Sequence, residues 1–195
     1  MMDPKIKLLI VDDDAATRFS LCQIFSCLGH TVRGAEDGFS ALRQIREIVP
    51  DIILSDLNMP KMSGFEFLSI VRRRFPSIYV IAMSGSYRDE KVPRGLAADG
   101  FHEKTTGVTA LFNTFKAATQ SDEASLQASR TSAPIWLPHD HFDLARGREV
   151  LISCPDCMRA FSQTYQNQGS VEEIDCAHCG SSINYAVVEP LAMAG

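Results

Sequence analysis

Five short apolar runs alternate with helical patterns over the first 118 residues, and this alternation limits the fold more than any other feature. The strand candidates are Ile6–Val11, Thr31–Ala35, Ile52–Ser55, Ile78–Met83 and Gly100–His102. Between them lie stretches of about 10 to 15 residues with apolar side chains at helical spacing. Strands that alternate with helices form a parallel sheet covered on both faces. The sequence therefore predicts an α/β fold with a doubly wound five-stranded parallel sheet in the order 2-1-3-4-5.

The helical patterns differ in clarity. Apolar faces are predicted from Phe19, Leu21, Cys22, Ile24, Phe25 and Leu28 for the first helix, from Ala41, Leu42, Ile45 and Ile48 for the second, and from Phe65, Phe67, Leu68 and Val71 for the third. Ser63, followed by Glu66, is a capping-box signature for the third helix. A fourth helix over about 88–98 contains Pro93, and the last covers about 108–118. We interpret Cys22 and Cys27 as core residues.

Length and composition indicate a soluble globular protein with room for one ordinary domain and a small one. The chain has 195 residues, of which 45% are hydrophobic and 22% are charged. No apolar run approaches the roughly 18 residues that a membrane-spanning helix needs. The first apolar run contains Lys7 and is followed by acids instead of a cleavage site, which is not typical of a signal peptide. A cytoplasmic location is therefore predicted.

Charge divides the chain near residue 119. Residues 1–118 hold 15 Lys+Arg and 14 Asp+Glu, a balance of +1, whereas residues 119–195 hold 4 Arg, no Lys and 10 Asp+Glu, a balance of −6. The segment directly after residue 118 is rich in Ser, Ala and polar residues and has no apolar periodicity, which is typical of a linker. We predict a first domain over 5–118, a linker over 119–148 and a small domain over 149–188.

Acidic residues follow two neighbouring strands of the predicted sheet. Asp12, Asp13 and Asp14 come directly after the first strand, and Asp56 ends the third. Because the carboxyl ends of these strands meet at the point where the strand order reverses, their carboxylates converge. Like charges this close repel one another unless something positive lies among them. Hard oxygen ligands of this kind suit Mg²⁺, so a magnesium site is predicted; for Asp14 we favour the role of a helix N-cap.

Two more strand ends point to the same edge of the sheet. Ser84 follows the fourth strand in "VIAMSGS", and Lys104 follows the fifth in "GFHEK". A hydroxyl and an ammonium group beside carboxylates and a metal suit phosphoryl transfer, in which catalysis is mostly positioning and charge neutralisation. An aspartate can itself be the nucleophile and form an acyl phosphate.

These motifs together resemble those of a known family. "LLIVDDD", "DIILSDLNMPKMSGFEFL", "VIAMSGS" and "GFHEK" are similar, in order and spacing, to the signatures of the response-regulator receiver domain of two-component signalling, over about residues 5–118. The resemblance implies that Asp56 is the phospho-acceptor and takes a phosphoryl group from a histidine kinase. It implies that Asp13, Asp56 and the backbone carbonyl of Asn58 hold Mg²⁺, with Asp12 assisting through water.

The resemblance also implies a switch. Ser84 would hydrogen-bond the phosphoryl group, Lys104 would pair with it, and Phe101 would be the aromatic residue that turns inward. The family usually has a cis-bonded proline after the lysine, and Thr105 occupies that position here. A non-proline cis bond costs about 2.5–4 kcal/mol, so the sequence leaves open whether this bond is trans or strained. Pro93 suggests an altered signalling face, and a receiver fold with an inactive site is the alternative.

Four cysteines near the end form the pattern C-x2-C-x18-C-x2-C, with Cys154, Cys157, Cys176 and Cys179. This spacing is typical of a four-thiolate structural zinc site, and the segment resembles a zinc ribbon. About 40 residues have too small a core to fold alone, so the metal would supply folding energy. Two redox-active pairs are the alternative, but these usually begin a helix in a thioredoxin-like unit, which the sequence does not show.

Nearby histidines and a glycine complete this region. His178 lies between two of the predicted ligands and is an alternative ligand, although four cysteines already fill the shell. His139 and His141 are interpreted as part of an exposed polar turn in preference to a second metal site. Gly180 suits the tight turn after the second cysteine pair.

The sequence therefore predicts a bacterial response regulator, with the cofactors Mg²⁺ and Zn²⁺ and with no enzymatic activity beyond self-catalysed phosphorylation and dephosphorylation. The predicted partners are a sensor histidine kinase or phosphotransfer protein, a downstream protein and, on phosphorylation, a second copy of the chain. Phosphate contacts need Lys and Arg, so the balance of −6 argues against nucleic acid. The alternatives are a nucleic-acid-binding regulator that acts through the ribbon, and a receiver that serves as a phosphate sink or relay.

Overall fold

The structure is a computed structural model that describes residues 5–85, 96–120, 134–138, 149–154, 156–157, 159–166 and 170–188. The first region contains β1 (Lys7–Val11), α1 (Ala15–Cys27), β2 (Thr31–Ala35), α2 (Gly38–Glu47), β3 (Ile52–Asp56), α3 (Gly64–Arg74), β4 (Tyr79–Ser84), β5 (Gly100–Glu103), a short 3₁₀ helix (Lys104–Thr106) and α4 (Val108–Gln120). The second contains β6 (Ile135–Pro138), β7 (Glu149–Ser153), β8 (Ala160–Thr164), β9 (Glu172–Asp175) and β10 (Ser182–Val188).

The first five strands form one parallel sheet in the order β2-β1-β3-β4-β5. This confirms the predicted α/β fold and its strand order. In the register of the sheet, Val11 at the end of β1 pairs with Ser55, the residue before Asp56. The carboxyl ends of β1 and β3 therefore lie side by side, as the acid cluster requires.

Each face of this sheet has its own hydrophobic core. Leu9 and Val11 of β1 belong to the cluster that α2 and α3 cover. Leu8 and Ile10 belong to the cluster that α1 and α4 cover. All four side chains are almost fully buried. Because side chains alternate across a strand and both faces are covered, the strand reads as a continuous apolar run in the sequence.

The side chains that are buried in the helices agree in part with those predicted from the sequence. The four apolar residues predicted for α3 are buried, and the Ser63 side chain accepts a hydrogen bond from the backbone N–H of Glu66. In α1, Leu21 and Phe25 are buried and Cys22 packs partly buried against the core. The predictions for Phe19, Leu28, Ile48 and Cys27 are wrong, because these four side chains are exposed to solvent. Most of the helix predicted over 88–98 lies outside the described residues.

The second region, which we call the C-terminal module, consists of strands β6–β10. Strands β6, β10 and β9 form one sheet, and β7 with β8 forms a hairpin. Ile152, Tyr165, Ile183 and Tyr185 contribute to a hydrophobic core that also contains Cys154 and Cys176. Strand β6 lies inside the segment predicted as a linker, where it pairs with β10 and packs on α3. Across the described part of the chain, every helix is too short or too polar to span a bilayer.

Candidate functional site

The acid cluster forms at the carboxyl edge of the large sheet. Carboxylate oxygens of Asp12, Asp13 and Asp56 all lie within 4.8 Å of one another. Asp12 and Asp56 are buried, whereas Asp13 is exposed. Asp14 turns away from this cluster and caps α1, because its carboxylate accepts a hydrogen bond from the backbone N–H of Thr17 at 2.7 Å. The structure therefore brings together the three predicted acids and confirms the N-cap interpretation of the fourth.

Lys104 supplies positive charge to this cluster. Its Nζ donates to Oδ2 of Asp12 at 2.9 Å and to Oδ2 of Asp56 at 2.8 Å. No peptide bond among the described residues is cis, so the bond before Thr105 is trans and Lys104 still contacts both acids. Three carboxylates and one ammonium group leave a local charge of −2, which a divalent cation would balance.

Burial and charge act against each other on the two central groups. Burial raises the pKa of the Asp56 carboxyl, while Lys104 acts in the opposite direction. Burial alone would lower the pKa of Lys104, but its hydrogen bonds to Asp56 and Asp12 raise it above the ordinary lysine value. Lys104 therefore stays charged at neutral pH and holds the Asp56 carboxylate through a direct ion pair.

The predicted switch residues lie along the same edge. Ser84 ends β4, which pairs with β3 at Asp56, and its side chain is fully buried. Phe101 lies in β5 opposite Ala82 and packs half-buried against the core under α3. Asn58 follows β3, and its backbone N–H points to Oδ1 of Asp56 at 3.4 Å. The structure thus places Asp12, Asp13, Asp56, Asn58, Ser84 and Lys104 at the carboxyl edge of the sheet, and Phe101 inside β5, three residues before Lys104.

Two further residues shape the pocket and escaped the sequence analysis. The Arg18 Nη1 donates to the backbone carbonyls of Asp12 at 2.6 Å and Asp13 at 3.3 Å, which fixes the loop after β1. Gly64 begins α3 directly beneath the site, where a Cβ atom would lie 2.0 Å from the carbonyl oxygen of Asp56. Two features of the sequence could have indicated these residues. Gly64 directly follows the N-cap Ser63, and Arg18 lies one helical turn after Asp14.

The model of the response regulator receiver domain matches residues 8–115, more than half of the chain. The chain belongs to this receiver family. A solved chemotaxis response regulator, CheY4 of Vibrio cholerae, has 28% sequence identity and a TM-score of 0.55, and the match covers 59% of this chain and 99% of that one. The five-stranded core and the acid pocket are therefore those of a receiver domain, and receiver domains bind Mg²⁺ at their acidic pocket.

Relatives of this receiver belong to longer proteins of several kinds. A protein-glutamate methylesterase/protein-glutamine glutaminase of Geobacter sulfurreducens is 34% identical over 110 residues, 54% of this chain and 29% of that enzyme. The response regulator GacA of Pseudomonas syringae is 27% identical over 157 residues, 76% of this chain and 73% of that protein. The chain thus spans less than a third of the methylesterase, which it matches through the receiver portion.

The four cysteines of the C-terminal module also come together. Sγ of Cys154 lies 3.7 Å from Sγ of Cys179, and Sγ of Cys157 lies 3.7 Å from Sγ of Cys176. A disulfide would need about 2.05 Å, so these thiols are unpaired. Sulfurs at the corners of a tetrahedron with metal–sulfur bonds of about 2.3 Å would be about 3.8 Å apart. The arrangement therefore fits a tetrahedral metal ion.

Backbone hydrogen bonds shape the loops that hold these sulfurs. The N–H of Cys154 donates to the carbonyl of Arg159 at 2.9 Å, and the N–H of Cys176 donates to that of Ser181 at 2.8 Å. Gly180 has a φ of +74°, as the predicted tight turn requires. His178 contacts the carbonyl oxygen of Ala160 through Nε2 at 3.2 Å, so its ring is directed away from the sulfurs.

Two of the four thiols differ in the direction of their pKa shift. Hydrogen bonds from Ser181 lower the pKa of Cys179 to about 6. The backbone N–H of Arg159 lowers the pKa of Cys157, but loss of solvent and the neighbouring cysteines raise it to about 12. Because thiolates this close repel one another, full ionisation of the cluster needs a cation at its centre. His139 and His141, which the sequence assigns to an exposed polar turn, lie outside the described residues.

Proposed function

We propose that this chain is a bacterial response regulator in which Asp56 accepts a phosphoryl group from a phosphohistidine of a sensor kinase or phosphotransfer protein. One observation supports this most strongly. The carboxylates of Asp12, Asp13 and Asp56 lie within 4.8 Å of one another, and Lys104 contacts two of them. Such a charge balance of −2 is costly for a purely structural role, but it suits a divalent cation and a passing phosphoryl group.

In the proposed reaction, a carboxylate oxygen of Asp56 attacks the phosphorus atom. A new oxygen–phosphorus bond forms while the nitrogen–phosphorus bond to the donor histidine breaks, and its electron pair stays on that nitrogen. Mg²⁺, held by Asp13, Asp56 and the carbonyl of Asn58 with Asp12 assisting through water, would neutralise the oxygens of the transferring group. Lys104 holds Asp56 in place before the reaction and pairs with the new anion afterwards.

The product adds a charge of about −1.5 to −2 and three acceptor oxygens to the edge of the sheet. Ser84 and Lys104 are the donors we assign to those oxygens, and Phe101 is the side chain that follows the resulting movement. Ser84 is fully buried at the end of β4, directly beside β5, which carries Phe101 and leads to Lys104. We assign the switch to the end of β4 and to β5.

The four cysteines are proposed to hold a structural Zn²⁺ ion. Four thiolates fill a tetrahedral shell and leave no open position for catalysis. The ion would link the loop after β7 to the loop after β9, and so organise a module whose own core is small. We assign the chain an output through protein contact and a cytoplasmic location, and its predicted domain limits of 5–118, 119–148 and 149–188 belong to the same proposal.

The test is native mass spectrometry of the full chain with acetyl phosphate, with and without Mg²⁺. Wild type is expected to gain one phosphoryl group only in the presence of Mg²⁺, and Asp56→Asn is expected to gain none. Asp14→Asn is the matched control, because it removes a carboxylate from the same loop but outside the pocket. It is expected to react like wild type, since asparagine also caps helices.

Absence of a phosphoryl group on a folded wild-type chain would contradict the proposal. Equal phosphorylation of Asp56→Asn and wild type would show that another residue is the acceptor. The same spectra report the metal content, and a chain without zinc would contradict the assignment of the cysteines while leaving the acceptor assignment intact.

A further inference from the structure

Helix α3 is buried to a greater extent than α1 and α2, which cover the same sheet. Seven of its 11 residues are buried, whereas α1 buries two of 13 and α2 buries three of 10. Arg74 is the only exposed residue of α3. A surface helix usually buries one stripe and leaves the opposite face to solvent. The burial of α3 therefore indicates a second packing partner in addition to the sheet.

The second partner is the C-terminal module. Phe65 and Ser69 lie one helical turn apart on the same side of α3 and are 3% and 1% exposed. Strand β6 packs on this helix. The Ser69 hydroxyl donates to the carbonyl oxygen of Pro134, the residue before β6, at 3.0 Å and, within the helix, to that of Phe65 at 2.8 Å. A buried hydroxyl on the receiver therefore fixes the point at which β6 begins.

Strand β10 completes this interface. Tyr185 and Val187 belong to the core of the module, whereas Ala186 between them belongs to the receiver cluster that contains Phe65. All three residues of the strand are almost fully buried. Because side chains alternate across a strand, the β6-β10-β9 sheet has one face on the core of the module and the other on the receiver.

The amino end of α3 is tied to the acid pocket. The backbone N–H of Gly64 donates to the carbonyl oxygen of Leu57, the residue after Asp56, at 2.9 Å. A Cβ atom at Gly64 would lie 2.0 Å from the carbonyl oxygen of Asp56, so the helix and the end of β3 are in direct backbone contact. Because such close packing leaves no free space, a displacement of α3 also displaces Asp56.

The carboxyl end of α3 holds the start of β5. Nη2 of Arg72 lies 2.8 Å from Oδ2 of Asp99, and the side chains of this ion pair are only 2% and 5% exposed. The same Oδ2 accepts a hydrogen bond from the backbone N–H of Val80 at 2.8 Å. Asp99 directly precedes β5, which leads to Lys104. Withdrawing one partner of a buried ion pair is strongly destabilising, so the position of α3 and the position of this strand depend on each other.

We propose that the C-terminal module is an intramolecular partner of α3, and that its docking holds Asp56 and Lys104 in the geometry that phosphoryl transfer requires. The second half of this inference rests on the proposed function of Asp56. The module covers one side of α3, and the two ends of the helix contact the end of β3 and the start of β5. Phosphoryl transfer depends on positioning, so loss of docking slows the reaction although no residue of the pocket changes.

The first experiment disrupts the docking from both sides of the interface in the full chain. Ser69→Tyr places a large side chain where the hydroxyl contacts Pro134, and Ala186→Arg places a charged one against the receiver core. Hydroxyl-radical labelling of Phe65 is expected to rise several-fold in both variants, because its side chain, which is 3% exposed, would then face solvent. Labelling of Phe25, which lies in the core on the opposite face of the sheet, should not change.

The second experiment measures the rate of phosphorylation by acetyl phosphate and Mg²⁺ in the same variants. The rate is expected to fall about tenfold or more in Ser69→Tyr and in Ala186→Arg, since small misplacements of reacting groups cost up to about 100-fold. Ser26→Tyr in α1 and Leu151→Arg in β7 are the matched controls, because both positions are exposed and lie outside the interface. Both controls should react like wild type.

Each outcome bears on a separate part of the inference. Unchanged labelling of Phe65 in both variants, with circular dichroism like that of wild type, would overturn the docking. Increased labelling with an unchanged phosphorylation rate, or a rate that falls in Ser69→Tyr alone, would overturn the coupling. If Ser69→Tyr does not fold, Ser69→Ala takes its place, with smaller changes expected in the same directions. If wild type gains no phosphoryl group, the proposed function is wrong and the coupling with it, while the labelling of Phe65 still decides the docking.

Discussion

The acid pocket and the cysteine cluster both gather negative charge, but they are compensated in different ways. In the pocket the chain supplies its own cation, since Lys104 lies 2.9 Å from Asp12 and 2.8 Å from Asp56. In the cluster the four sulfurs lie within 4.8 Å of one another, and a metal ion could supply the positive charge at their centre. The lysine of the pocket is partly exposed, at 26% of its side chain, whereas two of the four cysteines, Cys154 and Cys176, are buried in the core of the C-terminal module.

Metal removal is expected to give the largest difference between the two regions in hydrogen exchange. After treatment with a strong chelator, the strands β7–β10 should lose their protection from hydrogen exchange, because structural zinc contributes roughly 10 kcal/mol to the folding of small modules. The large sheet should stay protected, because its core does not depend on a metal. Phosphorylation by acetyl phosphate should return when Mg²⁺ alone is added, while protection of the module should return only with Zn²⁺. Recovery of the module with Mg²⁺ alone would contradict the distinction.

Removal of the Lys104 ammonium group is expected to give the next largest effect, on the free energy of unfolding. Lys104→Met removes the ammonium group between Asp12 and Asp56 and leaves two adjacent carboxylates unpaired. Breaking a fully buried pair costs about 3–5 kcal/mol, and we expect about 2 kcal/mol here because a quarter of the Lys104 side chain is exposed, at 26%. The free energy of unfolding in urea, measured without Mg²⁺, checks this.

Lys61→Met is the matched control for that measurement. Lys61 also pairs with an aspartate, Asp37, at 3.3 Å, but its side chain is 70% exposed. Exposed pairs contribute about 0–1 kcal/mol, so the control should be close to wild type. Equal losses in both variants would show that Lys104 is an ordinary surface lysine.

Close packing beneath the pocket predicts a smaller effect. Gly64→Ala would place a Cβ atom 2.0 Å from the carbonyl oxygen of Asp56, so α3 must shift away from β3. Overpacking of this kind costs about 1–3 kcal/mol, and the displacement of Asp56 should also slow phosphorylation. Gly85→Ala is the control for stability, because nothing lies within 4 Å of the position of its Cβ atom. Thermal unfolding compares the two variants, and the phosphorylation rate compares Gly64→Ala with wild type. Equal unfolding temperatures of the two variants would argue against a tight contact.

The acid pocket was predictable because its residues are tied to strand ends. Once β1 and β3 were recognised as neighbours in a parallel sheet, the meeting of Asp12 and Asp56 followed from topology alone. The cysteine pairs were predictable because four ligands of one type recur at a fixed spacing. In both cases the residues that define the site rarely occur together at such spacing for any other reason.

The docking of the C-terminal module was not predictable in the same way. It depends on Ser69, whose hydroxyl donates to the carbonyl oxygen of Pro134 at 3.0 Å, and on Ala186, which packs in the receiver core. A small hydroxyl residue and a small apolar residue give no recognisable signal in a sequence. Strand β6 pairs with β10 across a long stretch of chain, and parallel pairing leaves no turn motif between the partners. The exposure of Phe19 and Cys27 shows the opposite error, in which an apolar residue near a helical face is assigned to a core that it does not reach.

The smallest expected effect concerns repulsion inside the pocket. Asp13 is exposed and is not one of the two acids that Lys104 contacts, yet its carboxylate lies within 4.8 Å of theirs. Asp13→Asn removes one of three like charges, so the protein without Mg²⁺ should become more stable by up to about 1 kcal/mol, the Coulomb energy of two charges about 4 Å apart in water. The same variant should no longer be stabilised by Mg²⁺. Asp14→Asn, which keeps the N-cap of α1, should change neither quantity. Urea unfolding with and without Mg²⁺ measures both. A loss of stability in Asp13→Asn without Mg²⁺ would mean that Asp13 makes favourable contacts of its own, and the pocket would then be a structural cluster of acids and not a site that waits for a cation.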